Sequence, residues 1–309
     1  MNKILITGGA GFVASALADR LAENKANFIV IVDNLLTGDL KRIPKKENVK
    51  FIKANVNNNQ EISGIFFNFS FDYVFHYAAV VGVKRTLENP ILVLDDLKGM
   101  RNVLDLCKNT LVKRVFFSSS SEVYGEPVEL PQNEHTTPLN SRLPYAIVKN
   151  VGEAFLKSYK QEYDLDYTVF RFFNTYGPLQ SKDFVISKFV SAALKNEDIT
   201  IYGDGSQTRT FCYINDNVDA CIAAFEQNKC VNDVVNIGSE ITYTVLELAE
   251  MILKISGSKS KIIHLPPLEE GDMSRRQPDT SKMLKLLDRK PITLEEGLKK
   301  VIENPSFFI

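Results

Sequence analysis

The run Ile4-Leu5-Ile6-Thr7 passes directly into Gly8-Gly9-Ala10-Gly11, and an amphipathic stretch continues from Gly11 to Asn24. A short apolar run, a glycine turn and a helical pattern in that order leave few architectures open. Gly8 and Gly11 allow a tight turn and a close approach of main chain to a ligand. The helix start offers the free N–H groups of Phe12 and Val13 together with a partial positive charge, a natural seat for a pyrophosphate. Ala14 is small enough for the helix to lie close to the strand. Asp33 ends the second apolar run, Phe28–Asp33. There a carboxylate accepts hydrogen bonds from an adenosine ribose diol and repels a 2′-phosphate, which favours NAD over NADP.

The alternation continues. Val49–Asn55, Tyr73–Ala79 and Val112–Ser118 have the length and composition of strands buried on both faces. Gln60–Phe67, Pro90–Lys108 and Pro144–Tyr163 carry helical patterns between and after them. Strand–helix alternation with right-handed crossovers predicts an α/β fold with a doubly wound parallel sheet. Beyond Arg171 the pattern is mixed. Strands are expected at Ile199–Tyr202, Val234–Ile237 and Lys261–Leu265, and helices at Asp183–Lys195, Val218–Gln227, Thr244–Ser256 and Leu294–Ile302. This predicts a smaller mixed α/β C-terminal lobe packed against the sheet edge. The expected division is 1–172 and 173–309, with a soft boundary and interleaved parts.

Composition excludes several classes. The formal charge is −1 over 309 residues, so no nucleic-acid footprint is expected. The only apolar stretch at the N-terminus runs into glycines, too short for a signal peptide or membrane span. Cys107, Cys212, Cys221 and Cys230 form no C-x-x-C pair, and His76, His135 and His264 lie far apart. Neither a metal site nor a disulfide framework is expected, and reduced thiols fit a cytoplasmic protein.

The fifth run ends in hydroxyls, Ser118-Ser119-Ser120-Ser121-Glu122-Val123-Tyr124-Gly125. Residues at the carboxyl end of such a strand point into the ligand crevice. Tyr145 and Lys149 follow, four residues apart and so on one helix face. A phenol titrates near pH 10, too high for a base at neutral pH. A lysine ammonium and a positive nicotinamide ring both favour the phenolate, and a lowering of about three units would poise it for general base work. Ser120 would hold a substrate oxygen while Tyr145 removes its proton.

These motifs together resemble the extended short-chain dehydrogenase/reductases of the nucleotide-sugar epimerase, dehydratase and decarboxylase group. The resemblance includes Asp33-Asn34 with Thr37-Gly38, His76-Tyr77-Ala78-Ala79, Tyr145 with Lys149, Arg171-Phe172-Phe173-Asn174-Thr175-Tyr176-Gly177-Pro178, and Tyr202-Gly203-Asp204-Gly205-Ser206-Gln207-Thr208-Arg209. It implies a Rossmann domain holding NAD through Gly8, Gly11, Phe12, Val13, Asp33, Asn34, Gly38, Asn55, Val56, Ala78, Ala79, Ser118, Tyr145, Lys149 and Phe172. It also implies a nucleotide-diphosphate sugar held by Ser120, Asn174, Arg209 and Arg276. A homodimer built from Pro90–Lys108 and Pro144–Tyr163 is a further implication. His76 reads as a structural histidine rather than a proton carrier. Two positions depart from the group's pattern: Asn55 replaces an acidic residue near the adenine, and Asp96 replaces an asparagine.

The resemblance implies a 4-keto sugar as the common intermediate, with divergence after it. A 4,6-dehydratase usually has Asp then Glu after the position of Ser120, whereas this chain has Ser121 then Glu122. Nucleotide-glucuronate decarboxylases share Ser-Glu there and want an arginine such as Arg276, but their first hydroxyl is usually Thr. Epimerases match at Ser120, at the His-x-Ala-Ala ending and at Asp33-Asn34-Leu35. A nucleotide-sugar 4-epimerase, with Ser120, Tyr145, Lys149 and Glu122 as catalytic candidates, is therefore the first expectation. Decarboxylation and a 4-dehydrogenase that releases the ketone remain alternatives. A non-catalytic NAD-sensing regulator is the alternative from another class; such proteins typically lack the tyrosine or the lysine.

Overall fold

The computed structural model describes residues 1–266 and 276–304. The chain divides into two compact units. The first comprises Met1–Gly125, Leu139–Arg171 and Ala220–Val235; the second comprises Glu126–Pro138, Phe172–Asp219 and Asn236–Ile309. A single cut after Phe172 does not describe this division, because the chain crosses from one unit to the other several times.

In chain order, the first unit starts with β1 (Asn2–Thr7), α1 (Phe12–Leu21), β2 (Asn27–Asp33), β3 (Val49–Lys53), α2 (Asn59–Phe69) and β4 (Tyr73–His76). It continues with α3 (Val83–Glu88), α4 (Pro90–Leu94), α5 (Asp96–Asn109), β5 (Arg114–Ser120), α6 (Pro144–Tyr163) and β6 (Asp166–Phe172). Then come β7 (Thr175–Tyr176), α7 (Val185–Lys195), β8 (Ile199–Tyr202), β9 (Thr208–Thr210), β10 (Cys212–Tyr213), α8 (Ile214–Glu226) and β11 (Asp233–Ile237). The chain closes with β12 (Thr242–Thr244), α9 (Val245–Ser256), β13 (Ile262–Leu265), α10 (Ser281–Leu287) and α11 (Leu294–Ile302).

Seven strands form one sheet in the order β11-β6-β5-β4-β1-β2-β3. The pairs β1–β2, β2–β3, β1–β4 and β4–β5 are parallel. The chain builds outward from β1 to β3, then crosses back to place β4 on the other side of β1. Strand order reverses between β1 and β4, and the carboxyl ends of those two strands flank the crevice where an open α/β sheet binds ligands. The sheet is covered on both faces, as its continuous apolar strands require. On one face Leu5, Val30, Val74, Val115 and Phe117 join Phe66, Met100, Leu104, Leu156 and Tyr159 from α2, α5 and α6 in a single buried cluster. On the other, the rings of Phe75 and Phe116 stack at 4.3 Å, and Phe225 of α8 meets both edge-on. That ring explains why 220–235 belongs to the first unit.

Several boundaries differ from the sequence pattern. β5 extends through Ser119 and Ser120 instead of stopping at Ser118, and it starts at Arg114, after Leu111 takes a left-handed φ of 58°. β4 stops at His76, so Tyr77–Ala79 continue as irregular backbone. The stretch Pro90–Lys108 is two helices interrupted at Asp95. Val234–Ile237 falls within β11, a strand of the large sheet rather than of a separate lobe. In the second unit three small two-stranded sheets pair β10 with β7, β12 with β9 and β13 with β8. Thr244 and Thr293 open α9 and α11 with reciprocal capping boxes closed by Glu247 and Glu296.

Candidate active site

The glycine turn lies at the crossover point of the sheet. Gly8 has φ +68°, and a Cβ there would lie 2.6 Å from the Ala78 main chain. No side chain is tolerated where the backbones leaving β1 and β4 cross. The Gly11 N–H donates to the Gly8 carbonyl at 2.9 Å, closing the turn. Gly11 then caps α1 without a side-chain hydrogen bond, so the first N–H groups of α1, from Phe12 and Val13, await an outside acceptor. At the end of β2 the buried Asp33 carboxylate accepts the Ala10 N–H at 3.0 Å and the Leu35 N–H at 2.7 Å. Gly38 closes over it: a Cβ at Gly38 would lie 2.8 Å from Asp33 Oδ1. Asn34 turns its amide oxygen to the Leu36 N–H. After β3, Asn55 Oδ1 accepts the Asn57 N–H at 3.0 Å, and Val56 offers its carbonyl to Asn102.

The loop after β4 is anchored by Thr7. Its Oγ1 pairs with His76 Nδ1 at 2.8 Å and accepts the Ala78 N–H at 3.3 Å. Burial holds His76 down to about 3, with the Lys149 charge acting in the same direction. The imidazole is therefore neutral and structural at any working pH. Ala79 leads to Val80, which is buried and whose N–H donates to Asp96 Oδ2 at 2.7 Å.

Ser120 closes β5 with its side chain buried, and its Oγ accepts the Glu122 N–H at 3.2 Å. Ser120 thus caps the turn Ser121–Tyr124. Glu122 stands half-buried on that turn. Tyr145 and Lys149 lie one turn apart near the start of α6, which Pro144 opens at a position where its missing N–H costs nothing. Tyr145 packs on Val80, Val93 and Val148 with Leu97. The Lys149 ammonium lies 5.7 Å from the Tyr145 ring centroid and 5.0 Å from that of Phe117. It reaches the Ser118 hydroxyl at 3.5 Å, and that hydroxyl donates to the His76 carbonyl. Burial lowers the Lys149 ammonium to about 8, opposed by the Asp96 carboxylate.

Beneath these groups lies a network that sequence reasoning missed. Glu153, four residues beyond Lys149, accepts Ser119 Oγ at 2.6 Å and the Arg171 guanidinium at 2.9 and 2.7 Å. Arg171 also donates to the Tyr124 hydroxyl at 2.8 Å. All four side chains are buried. The available signal was the spacing Tyr145, Lys149, Glu153 on one helix face, with a lone arginine in the apolar strand that follows.

The remaining candidates belong to the second unit. Phe172 ends β6 and opens the stretch Phe172–Asp219 of the second unit. Asn174, at φ 31°, donates from Nδ2 to the Thr210 carbonyl at 3.0 Å, which ties it to the strand that carries Arg209. Arg209 Nη1 donates to the Thr208 carbonyl at 2.8 Å. Arg276 is buried, one residue before Gln277, whose carbonyl accepts the Gln132 N–H at 2.7 Å. Ser120, Tyr145, Lys149, Glu122 and the cofactor candidates up to Ser118 all lie in the first unit. Among the described residues no cluster of His, Cys, Asp and Glu could hold a metal ion, and no helix is long and apolar enough to cross a membrane.

The cradle fits a dinucleotide: a side-chain-free crossing at Gly8, an uncapped helix start and an oriented carboxylate at Asp33 occur in one turn-helix-strand unit. Comparison with known proteins agrees. The chain is 36% identical over 322 residues to the UDP-N-acetyl-alpha-D-glucosaminuronate decarboxylase of Bacillus cytotoxicus, covering 98% of this chain and 97% of that one. The UDP-glucose 4-epimerase of Thermotoga maritima, solved with UDP-glucose, superposes with a TM-score of 0.92 at 32% identity and 98% coverage of both chains. The Thermus thermophilus UDP-glucose 4-epimerase, solved with NAD, superposes with a TM-score of 0.89 at 28% identity, covering 97% of this chain and 98% of that one. The model of the NAD dependent epimerase/dehydratase family matches residues 4–238. The chain belongs to that family, whose members are enzymes acting on nucleotide sugars with NAD.

Proposed function

We propose that this enzyme is a nucleotide-sugar 4-epimerase. The observation that carries the reading is the set at the end of β5 and start of α6. A buried Ser120 hydroxyl closes β5, Tyr145 and a buried Lys149 lie one turn apart at the start of α6, and serine rather than an acid stands at 121. Gly8, Gly11, Phe12 and Val13 would seat the pyrophosphate, and Asp33 with Gly38 the adenosine ribose. Asn34, Asn55, Val56, Ala78, Ala79, Ser118 and Phe172 would complete the NAD site. NAD held there would supply a reversible hydride acceptor for C4. Tyr145, as phenolate, removes the proton from the C4 hydroxyl while Ser120 donates a hydrogen bond to that oxygen. The Lys149 ammonium favours the phenolate by its charge. In the second half Tyr145 returns the proton to the C4 oxygen after the ketone has turned over. Asn174, Arg209 and Arg276 grip the diphosphate, where guanidinium forks match phosphate oxygens. Holding the diphosphate firmly and the sugar weakly permits the turn.

Decarboxylation of a nucleotide glucuronate is the second reading. It is favoured by Ser121-Glu122, by Arg276 and by the similarity to the Bacillus cytotoxicus enzyme. The absence of a carboxylate at 121 argues against loss of water. A panel of UDP-, GDP-, CDP- and dTDP-sugars separates these chemistries by product mass. The proposal expects unchanged mass with no net NADH; loss of carbon dioxide from a glucuronate establishes the second reading instead.

We also propose a cytoplasmic homodimer. Leu87 of α3, Ile91 and Leu94 of α4 and Ile147 of α6 are exposed in the first unit. Such a set supports a partner helix face.

A further inference from the structure

Ser120 sits between two anchored points. On the strand side, Ser119 Oγ donates to Glu153 Oε1 at 2.6 Å. On the other side, Tyr124 ends the turn that Ser120 caps, and its hydroxyl accepts from Arg171 Nη1 at 2.8 Å. The Arg171 guanidinium also lies 4.8 Å from the Tyr124 ring centroid. Glu153 and Arg171 join the two points. Arg171 Nε donates to Oε1 at 2.9 Å and Nη2 donates to Oε2 at 2.7 Å, a two-pronged pair of fixed geometry. The two side chains are only 2% and 1% exposed.

The pair is itself held by two elements. Glu153 stands one turn beyond Lys149 and two beyond Tyr145 on the same face of α6. Arg171 belongs to β6, the neighbour of β5 in the sheet. Between the anchors, Ser120 Oγ accepts the Glu122 N–H at 3.2 Å. A hydroxyl that accepts there still carries one proton to donate. All of these residues lie in the first unit. A pair this deeply buried is a weak device for stability alone, since apolar side chains of similar volume often serve as well. What it adds is direction, because each of its hydrogen bonds fixes a partner in place.

We propose that Glu153 and Arg171 are positioning residues for Ser120: their buried pair clamps the chain on both sides of that hydroxyl and keeps it in register with the helix that carries Tyr145 and Lys149. This rests on the substrate contact given to Ser120 above. A misplacement of about 1 Å at a reacting group costs up to about a hundredfold in rate. The grip on the nucleotide diphosphate is assigned to other residues. Loosening the clamp therefore lowers kcat and leaves KM where it was, whereas a loss of folded protein would add to any other defect.

The test uses Ser119→Ala and Tyr124→Phe, each of which removes one tie and leaves the Glu153–Arg171 pair whole. Turnover is measured on whichever nucleotide sugar the enzyme converts. Each variant is expected to lower kcat about tenfold or more at unchanged KM. Neither is expected to deepen the defect of Ser120→Ala, because both act through that side chain. An intact kcat, a loss confined to KM, or a loss that adds in full to that of Ser120→Ala overturns the proposal. Amide hydrogen exchange on the protein as purified gives a second readout. In the double variant, residues 120–125 are expected to exchange about tenfold faster while β1 and β4 keep their rates. Equal rates at 120–125, or acceleration spread over the whole sheet, overturn the clamp. The epimerase reading fails separately, through a product of changed mass; in the absence of any turnover, the exchange rates alone decide the role of Glu153 and Arg171.

Discussion

His76 shows how one side chain can look catalytic and be structural. It lies at the carboxyl end of β4, yet its Nδ1 is committed to Thr7 Oγ1 and burial holds it at about 3. The unfolded imidazole takes a proton near pH 6.5. Between those values the unfolded chain binds more protons than the folded one, so stability rises with pH. It is complete above about pH 6.5 and falls by up to about 1.4 kcal/mol for each pH unit below it. Urea melts at about pH 5 and about pH 7 should show this loss in the unsubstituted protein and a smaller one in His76→Asn. Equal losses in both would mean that another group carries the dependence. At this scale the glycine turn, Asp33, Ser120 and the Tyr145–Lys149 pair were legible because each rests on a local spacing. The contact of Asp96 with the Val80 N–H was not, because the two lie 16 residues apart and only the fold brings them together.

Among the elements, β5, β6 and α6 decide the site. The pattern of apolar residues located β5 and α6, because a strand buried on both faces and an amphipathic helix leave different periods, but it did not name β6. It stopped β5 two residues early, since serines are poor strand formers in isolation. The structure gives Ser119 a charged partner, Glu153, which satisfies its hydroxyl within the sheet. Glu153 and Arg171 also join α6 to β6, with Tyr124 on the same guanidinium. Replacing Glu153 by Gln leaves Arg171 buried without its counter-charge, a loss of about 3–5 kcal/mol. Denaturant melts would measure it; a change below about 1 kcal/mol would show that the pair is no more than a surface-like contact. The break of Pro90–Lys108 at Asp95 left no local sign, since the run Ile91-Leu92-Val93-Leu94 continues an apolar helical pattern up to it.

In the whole molecule, sequence order and spatial order part company. Residues 220–235 return to the first unit, where Phe225 caps the Phe75–Phe116 stack, while 126–138 join the second. Periodicity reports that a segment is a strand or helix, not which sheet receives it. That is why β11 was expected in the C-terminal lobe. The dimer proposal is argued at this scale too. Ile91 is 72% exposed on α4. Ile91→Glu is expected to shift sedimentation from dimer to monomer with the NAD site retained. A dimer that survives it places the interface elsewhere.

The central claim is that Tyr145 and Lys149 serve a reversible oxidation at C4 in which the hydride never reaches solvent. Proton NMR of UDP-sugars incubated with the enzyme in deuterated water tests this directly. The account predicts a C4 epimer that keeps its original C4 hydrogen, and a rate about 10²–10⁴-fold lower in Tyr145→Phe. Deuterium at C4 of the product, or undiminished epimerisation by the phenylalanine variant, would contradict it.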